Sequence, residues 1–409
     1  MMMERPFARV TVTEKAEKML KGGQVRVYSE EVVSVAGDFQ QGDVVDVYSG
    51  KGKYLGSGFY NAASKQCVRL ISRNPNDRFD AAFWRRRVQY AVDYRKTVMG
   101  DDFSACRLIF GDADGFPGLT IDRFGEVLVA EVLSLGCERI KTTVFTALTE
   151  TLADLGEPVS VIYERSDGAI RALEGLPAVS GAFFDRRPDP TAPYELTLVE
   201  NGITYRVNYG AGQKTGFFLD QKYNRQAVAR LAKGRRVLDC FTHTGAFALN
   251  AAKGGAESVV AVDISDAAVA LARENAALNG FSDRVSVVCC DVFDYLSELE
   301  KNKRRDFDFI ILDPPAFTKS NSTVRAAYRG YREINARAMR LLPRGGYLAT
   351  CSCSHFMTAS LFRNMLHDAA TDAGVSLRQI EERQQAPDHP ILWNVPETEY
   401  LKFCLFQVV

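Results

Sequence analysis

From about Arg235 onward, short apolar runs that each close on an aspartate alternate with helical stretches, and this rhythm constrains the fold more than any other feature of the chain. Val237-Leu238 ends at Asp239, Ser258-Val259-Val260-Ala261-Val262 at Asp263, and Phe309-Ile310-Ile311-Leu312 at Asp313. Helical spacing predicts helices from Ala246 to Ala252 and from Ala267 to Leu278, and a long one ending near Leu342; Val285 to Val288 and Tyr347 to Thr350 read as further strands. Short apolar runs bounded by turns mark strands covered on both faces, and alternating them with helices gives an α/β fold with a mostly parallel sheet. Ligands of such sheets bind beyond the carboxyl ends of the strands. Asp239, Asp263, Asp291 and Asp313 all stand there.

Upstream the pattern differs. Within residues 1–80, Val25 to Tyr28, Asp43 to Tyr48 and Cys67 to Ile71 read as short β elements punctuated by glycines, which predicts a small barrel. Residues 81–190 begin with a basic helix and continue with Gly- and Asp-rich turns between Leu108 and Ile121, a strand from Val127 to Leu133, a helix from Lys141 to Leu155 and a strand from Val159 to Tyr163, an α+β domain. Pro188, Pro190 and Pro193 have the character of a linker, so the α/β domain is expected over 191–409. A chain of 409 residues has room for two or three domains at roughly 150 residues each.

Composition narrows the partners. No run approaches the roughly 18 apolar residues of a membrane span, and the N-terminus lacks a signal-peptide layout, so a cytoplasmic protein without membrane partners is expected. Nine cysteines without a Cys-x-x-Cys pair predict reduced thiols and no metal site. Basic and acidic residues balance at 51 each, so any surface for a polyanion must be local. Arg85, Arg86, Arg87, Arg95 and Lys96, interleaved with Phe83, Trp84 and Tyr90, offer such a surface or simply a solvated helix face.

The turn Asp239-Cys240-Phe241-Thr242-His243-Thr244-Gly245 has one glycine where a dinucleotide fingerprint needs three, which disfavours NAD and FAD. A ligand with an adenine, a ribose and an ammonium group but no phosphate needs carboxylates instead. Asp263 is spaced to accept from ribose hydroxyls, Asp291 from the adenine amine, and Asp239 faces the amino-acid end, with Phe241, Thr244 and Gly245 completing the set. The alternative is that these aspartates cap the helices that follow them.

Asp313-Pro314-Pro315-Ala316-Phe317 follows a strand, and the paired prolines hold the turn rigid. Such a turn suits a planar base flipped from its stack: Asp313 bonds the ring edge, Pro314 and Pro315 line its pocket, and Phe317 stacks on it. The next strand leads into Cys351-Ser352-Cys353, two thiols at the edge of the same cleft. A thiolate can add to C6 of a pyrimidine and so make C5 nucleophilic, although most cysteines are simply buried. Spacing does not choose between Cys351 and Cys353.

With these motifs the chain resembles the bacterial large-subunit ribosomal RNA methyltransferases that make 5-methylcytosine and carry an N-terminal PUA domain. Gly42-Asp43-Val44-Val45 and Leu55 to Asn61 look like the PUA barrel; Thr215-Gly216-Phe217-Phe218-Leu219-Asp220-Gln221, Asp313 to Phe317, Ser352-Cys353-Ser354 and Asp388-His389-Pro390 match as well. The resemblance implies a Rossmann-like class I methyltransferase domain, S-adenosylmethionine (SAM) as cofactor, 23S ribosomal RNA as partner and a chain able to form a homodimer. It also implies that Cys353 is the nucleophile, that Asp313 contacts the base, and that Asp239, Asp263 and Asp291 surround the cofactor, with Asp313 at its edge. Ala316 departs from the lysine common there, and Cys351 adds a second thiol. Methylation of a base nitrogen, which needs no thiol, and a catalytically inert RNA-binding assembly factor are the rival expectations.

Overall fold

Alternation builds the first strands: in Arg9–Val12 (β1), Val10 and Val12 are fully buried while Arg9 faces out. The computed structural model describes residues 5–318 and 320–409, and its contacts divide these into two units. One runs up to Leu196 and adds Val207–Leu219 and Pro387–Thr398; the other comprises Thr197–Arg206, Asp220–Ala386 and Glu399–Val409.

In the first unit, β1 is followed by the helix Glu14–Lys21 (α1), capped by Thr13, then by strands Arg26–Val27 (β2), Val32–Ala36 (β3), Val44–Ser49 (β4), Tyr54–Tyr60 (β5) and Val68–Ser72 (β6). They form a six-stranded sheet in the order β2-β6-β5-β4-β1-β3 around Val10, Val12, Val27, Val45, Val47 and Val68, with Ala16 and Leu20 of α1. Gly58 lets β5 and β6 approach closely, since a Cβ there would lie 2.3 Å from the Arg69 carbonyl oxygen.

The helix Ala81–Met99 (α2) leads to a five-stranded sheet made of Ala105–Phe110 (β7), Leu119–Phe124 (β8), Val127–Val132 (β9), Val161–Ser166 (β10) and Val179–Asp185 (β11), ordered β11-β10-β9-β8-β7. Helices Leu135–Asp154 (α3) and Ile170–Leu173 (α4) lie between its strands in sequence. Here one sequence expectation is corrected. Arg95, grouped with the exposed basic residues, is fully buried: its Nη atoms bind Asp114 at 2.6 and 2.7 Å and its Nε the Arg107 carbonyl at 2.8 Å. Arg95 continues the buried stripe of Val88, Ala91, Val92 and Met99 at helical spacing, a direction that a count of charges does not reveal. Arg95 also donates to the Asp388 carbonyl, while the Asp388 carboxylate accepts from Arg107 N and lies 2.8 Å from His389 Nδ1. Asp388-His389 thus ties 387–398 to this unit. Arg95→Met should cost about 3–5 kcal/mol, because it strands Asp114 without its cation; urea unfolding of the two proteins measures the difference.

The second unit holds most of the hairpin Glu195–Glu200 (β12) and Ile203–Asn208 (β13), then the helix Lys222–Leu231 (α5). Next come Arg236–Cys240 (β14), Ala246–Lys253 (α6), Ser258–Asp263 (β15), Asp266–Leu278 (α7), Val285–Cys289 (β16), Val292–Lys301 (α8), Phe309–Leu312 (β17), Val324–Leu341 (α9), Tyr347–Ser352 (β18), Ala359–Ala373 (α10), Leu377–Arg383 (β19) and Lys402–Val408 (β20). The sheet runs β16-β15-β14-β17-β18-β20-β19; the first five strands are parallel, and β20 is antiparallel to both neighbours. All four residues of β17 are buried, as its unbroken apolar run requires. The chain proceeds outward from β14 to β15 and β16, then returns to β17 on the other side. That reversal opens a crevice at the carboxyl ends of β14 and β17.

Candidate active site

The turn after β14 is strained. Phe241 (φ 63°) and His243 (φ 50°) both adopt the left-handed conformation, which costs a non-glycine residue about 1–3 kcal/mol and survives only where the surroundings impose it. Three bonds do so: Thr242 N to the Val262 carbonyl at 3.0 Å, Thr242 Oγ1 to Asp239 Oδ2 at 2.5 Å, and His243 N to Asp263 Oδ2 at 2.9 Å. Gly245 (φ 86°) then starts α6 where a Cβ would crowd Ala272 at 3.3 Å, and Thr244, buried beside it, accepts from Asn275 Nδ2 through its carbonyl.

Asp239 is fully buried. Its Oδ2 also accepts from Ala248 N, but Oδ1 has no hydrogen-bond partner among the described residues. Burial, together with the charges of Asp313 and Asp263, pushes its carboxyl up to about 7. Asp313, on the loop after β17, is likewise raised to about 7, by burial and by Asp220, against the opposing charge of Arg225. Its Oδ1 accepts from Gln221 Nε2 at 3.1 Å, and Asp220 is held by Tyr400 Oη at 2.6 Å. Carboxylates that raise one another have gathered here in a chain of zero net charge. The ligand such a site favours is a cation.

Asp291 serves partly as the structural alternative anticipated, whereas α7 is capped by Ser265 and not by Asp263. Asp263 Oδ1 accepts from Ser265 N at 3.0 Å, and Asp291 caps α8 by accepting from Phe293 N and Asp294 N, both at Oδ1. Asp291 Oδ2 remains for a ligand. Ile264, directly after Asp263, is 68% exposed, an apolar side chain available to a flat ring.

At the other wall, Pro314 is buried and Pro315 exposed. Phe317 does not stand free: it packs at 4.5 Å from Tyr331 and 6.0 Å from Phe293, with Phe241 at 6.5 Å, so it braces the turn as part of an aromatic cluster. The two thiols differ sharply. Cys351, within β18, is fully buried and its thiol is held well above the usual range by burial and by Asp313. β18 ends at Ser352, and Cys353 just beyond it is half-buried, its Sγ 3.9 Å from the Pro314 carbonyl. Gln221, Ile264 and Lys402 also belong to this site, and sequence reasoning missed their parts. The glutamine lay inside the recognised Thr215–Gln221 motif, but neither Ile264 nor Lys402 carries a pattern that distinguishes it from core or surface residues.

Residues 187–407 match the S-adenosylmethionine-dependent methyltransferase family, and residues 10–73 match a PUA-like domain. The chain belongs to the SAM-dependent methyltransferases. Relatives of this family named Ribosomal RNA large subunit methyltransferase I include those of Klebsiella pneumoniae strain 342, 38% identical over 98% of both chains, and Escherichia coli O1:K1, 39% identical over 96% of this chain and 98% of that one. Among solved structures, a SAM-dependent methyltransferase from Streptococcus mutans superposes with a TM-score of 0.82 at 25% identity, covering 98% of this chain and all of the other. A methyltransferase complexed with S-adenosylhomocysteine (SAH) gives 0.83 at the same identity and coverage.

The residues present fit the family's cofactor. The orphaned Asp239 Oδ1 can accept from an ammonium group, Asp263 can accept from ribose hydroxyls, and Ile264 with Asp291 Oδ2 can receive the adenine. The crowded carboxylates favour SAM, which carries positive charge on both its sulfur and its amine.

Proposed function

We propose that this protein methylates C5 of a cytosine in large-subunit ribosomal RNA through a covalent adduct of Cys353. The observation that carries the proposal is the accessible Cys353 thiol beside the rigid turn of Asp313. The names of its relatives support ribosomal RNA as the substrate. Asp313, with its carboxyl near 7, is partly protonated at neutral pH and can donate to N3 of the cytosine, withdrawing electrons from C6. The Cys353 thiolate then forms an S–C6 bond and C5 becomes nucleophilic. SAM supplies the electrophilic methyl group. After C5 has taken the methyl, its proton passes to water, the electron pair of that C–H bond re-forms the C5–C6 double bond as the S–C6 bond breaks, N3 returns its proton to Asp313, and the thiolate is restored. Incubation with labelled SAM and unmodified large-subunit RNA, followed by nucleoside mass spectrometry, tests this reading: label in 5-methylcytosine is expected, and label only in a methylated purine or an exocyclic amine overturns it.

We also propose that the first unit holds the RNA. A cleft of about 780 Å³ there is lined by Arg73, Asn74, Arg87, Tyr90, Tyr94 and Asn394, among others. The Arg87 guanidinium lies 4.9 Å over the Phe83 ring and makes no ion pair among the described residues, Tyr90 is 67% exposed, and Trp393 beside the cleft is 98% exposed. Cationic and aromatic groups together suit unpaired nucleotides, with stacking worth about 1–3 kcal/mol per base. Trp393→Ala and Tyr90→Ala should each weaken RNA binding by about fivefold to a hundredfold on that scale and leave SAM affinity unchanged, as filter binding and calorimetry would measure.

A further inference from the structure

Lys402 is a buried cation without an anionic partner among the described residues. It is 5% exposed at the start of β20, paired in register with Ser352 of β18, one residue before Cys353. Its Nζ donates to the Ser354 carbonyl at 2.6 Å and to the Tyr400 carbonyl at 2.7 Å, and it forms no ion pair among the described residues. An ammonium taken from water normally costs several kcal/mol unless a partner charge compensates it. Two neutral carbonyls satisfy two of its N–H groups but supply no countercharge.

The groups around it narrow the candidates. Burial holds the Lys402 amine down to about 8, while Cys353 and Glu399 act in the opposite direction. Glu399 makes no ion pair with it; its Oε1 accepts from Gln384 instead. On the thiol side, Tyr331 of α9 and Cys351 of β18 also interact electrostatically with Cys353, and burial keeps both of them neutral. At neutral pH Lys402 is a fixed positive charge so placed.

We propose that Lys402 is a positioning residue that serves as the resident counter-cation of the Cys353 thiolate, an inference that rests on Cys353 being the nucleophile. The thiol proton leaves to water, the ammonium keeps its own three protons, and the resulting anion completes the pair that Lys402 otherwise lacks. The two carbonyl bonds fix the ammonium beside the loop after β18, so the thiolate is stabilised before RNA arrives. The same ammonium also holds the Ser354 carbonyl, and so orients the loop that presents Cys353.

The test is the rate of Cys353 alkylation by iodoacetamide against pH, read by peptide mass spectrometry on the full-length protein without RNA. Cys289, exposed and raised by its hydrogen bond with Asp266, is the internal reference. In the wild type, the Cys353 profile should have its midpoint below the ordinary thiol value of about 8.5. Lys402→Met should move that midpoint up by about 1–3 units, a tenfold or larger loss of alkylation rate at pH 7, and Lys402→Arg should restore much of it. A wild-type midpoint at or above the ordinary value overturns the proposal whatever the variants do. So does a Lys402→Met profile that coincides with the wild type in a protein that still binds SAH. Because alkylation needs no RNA, the proposed reaction can fail separately: Cys353→Ala retaining methyl transfer would remove the reaction while leaving the ion pair measured.

Discussion

Cys353→Ala should abolish formation of 5-methylcytosine, with a loss of about 10⁴-fold or more, since removing the nucleophile removes the covalent route and leaves only positioning. SAM affinity should be unchanged, and the fold should survive, because the side chain is half-buried at a strand end and its Sγ lies at a weak 3.9 Å from the Pro314 carbonyl. Cys351→Ala behaves differently. That thiol is fully buried against Asp313, so its loss should slow the reaction through the carboxyl and lower stability without ending catalysis. Initial rates of labelled methyl transfer to large-subunit RNA, set beside calorimetric SAM titrations, separate the two cysteines.

Asp239→Asn should weaken SAM binding by about a hundredfold, the scale expected when a buried charge-assisted bond is lost. The pH dependence is the sharper signature. Burial sets the Asp239 carboxyl near 7, so binding a cationic ligand requires its ionisation: wild-type affinity should fall as pH drops below 7 and level off above it. In the asparagine variant this slope should be gone. Stability carries the opposite sign. Asp239 and Asp313 both have carboxyls raised in the folded state, so the ligand-free protein is favoured at low pH and loses that stability as pH rises from about 4 towards 7. Thermal melts with and without SAM should therefore diverge most at and above pH 7, where the ligand binds best and the free protein is least stable. A SAM affinity that is flat between pH 5.5 and 8.5 would contradict this electrostatic account of the site.

The α/β architecture was legible because strands covered on both faces must be largely apolar, and β14, β15 and β17 each carry an apolar run with an acid at or next to its end. The strained turn around Asp239 was legible only as a departure from the dinucleotide pattern; its left-handed Phe241 and His243 depend on bonds from Val262 and Asp263, which no local signal encodes. The antiparallel edge of the sheet was missed. β19 is largely exposed, and β20 joins beside β18 from the far end of the chain, an arrangement decided by tertiary pairing. For the same reason Lys402 could not be connected with Cys353, 49 positions before it, until that pairing was known. Arg95 looked like part of a basic surface because composition counts charges without their directions; Asp114 and three carbonyls claim it for the interior. Phe317 and Asp291 show the reverse case. Each was assigned to a ligand from its place in a motif, yet each also performs local work, in an aromatic cluster and at a helix cap.

The central claim is the covalent route through Cys353, and the most direct measurement is to trap it. Large-subunit RNA made with 5-fluorocytidine carries fluorine where the C5 proton must leave, so after addition of the thiolate and methyl transfer the S–C6 bond cannot be released. The account predicts a protein–RNA adduct that survives denaturation, depends on SAM, and maps by mass spectrometry to the peptide bearing Cys353, joined to a methylated fluorocytosine. Rapid methylation of the same RNA with no adduct, or an adduct that persists in Cys353→Ala, would contradict it.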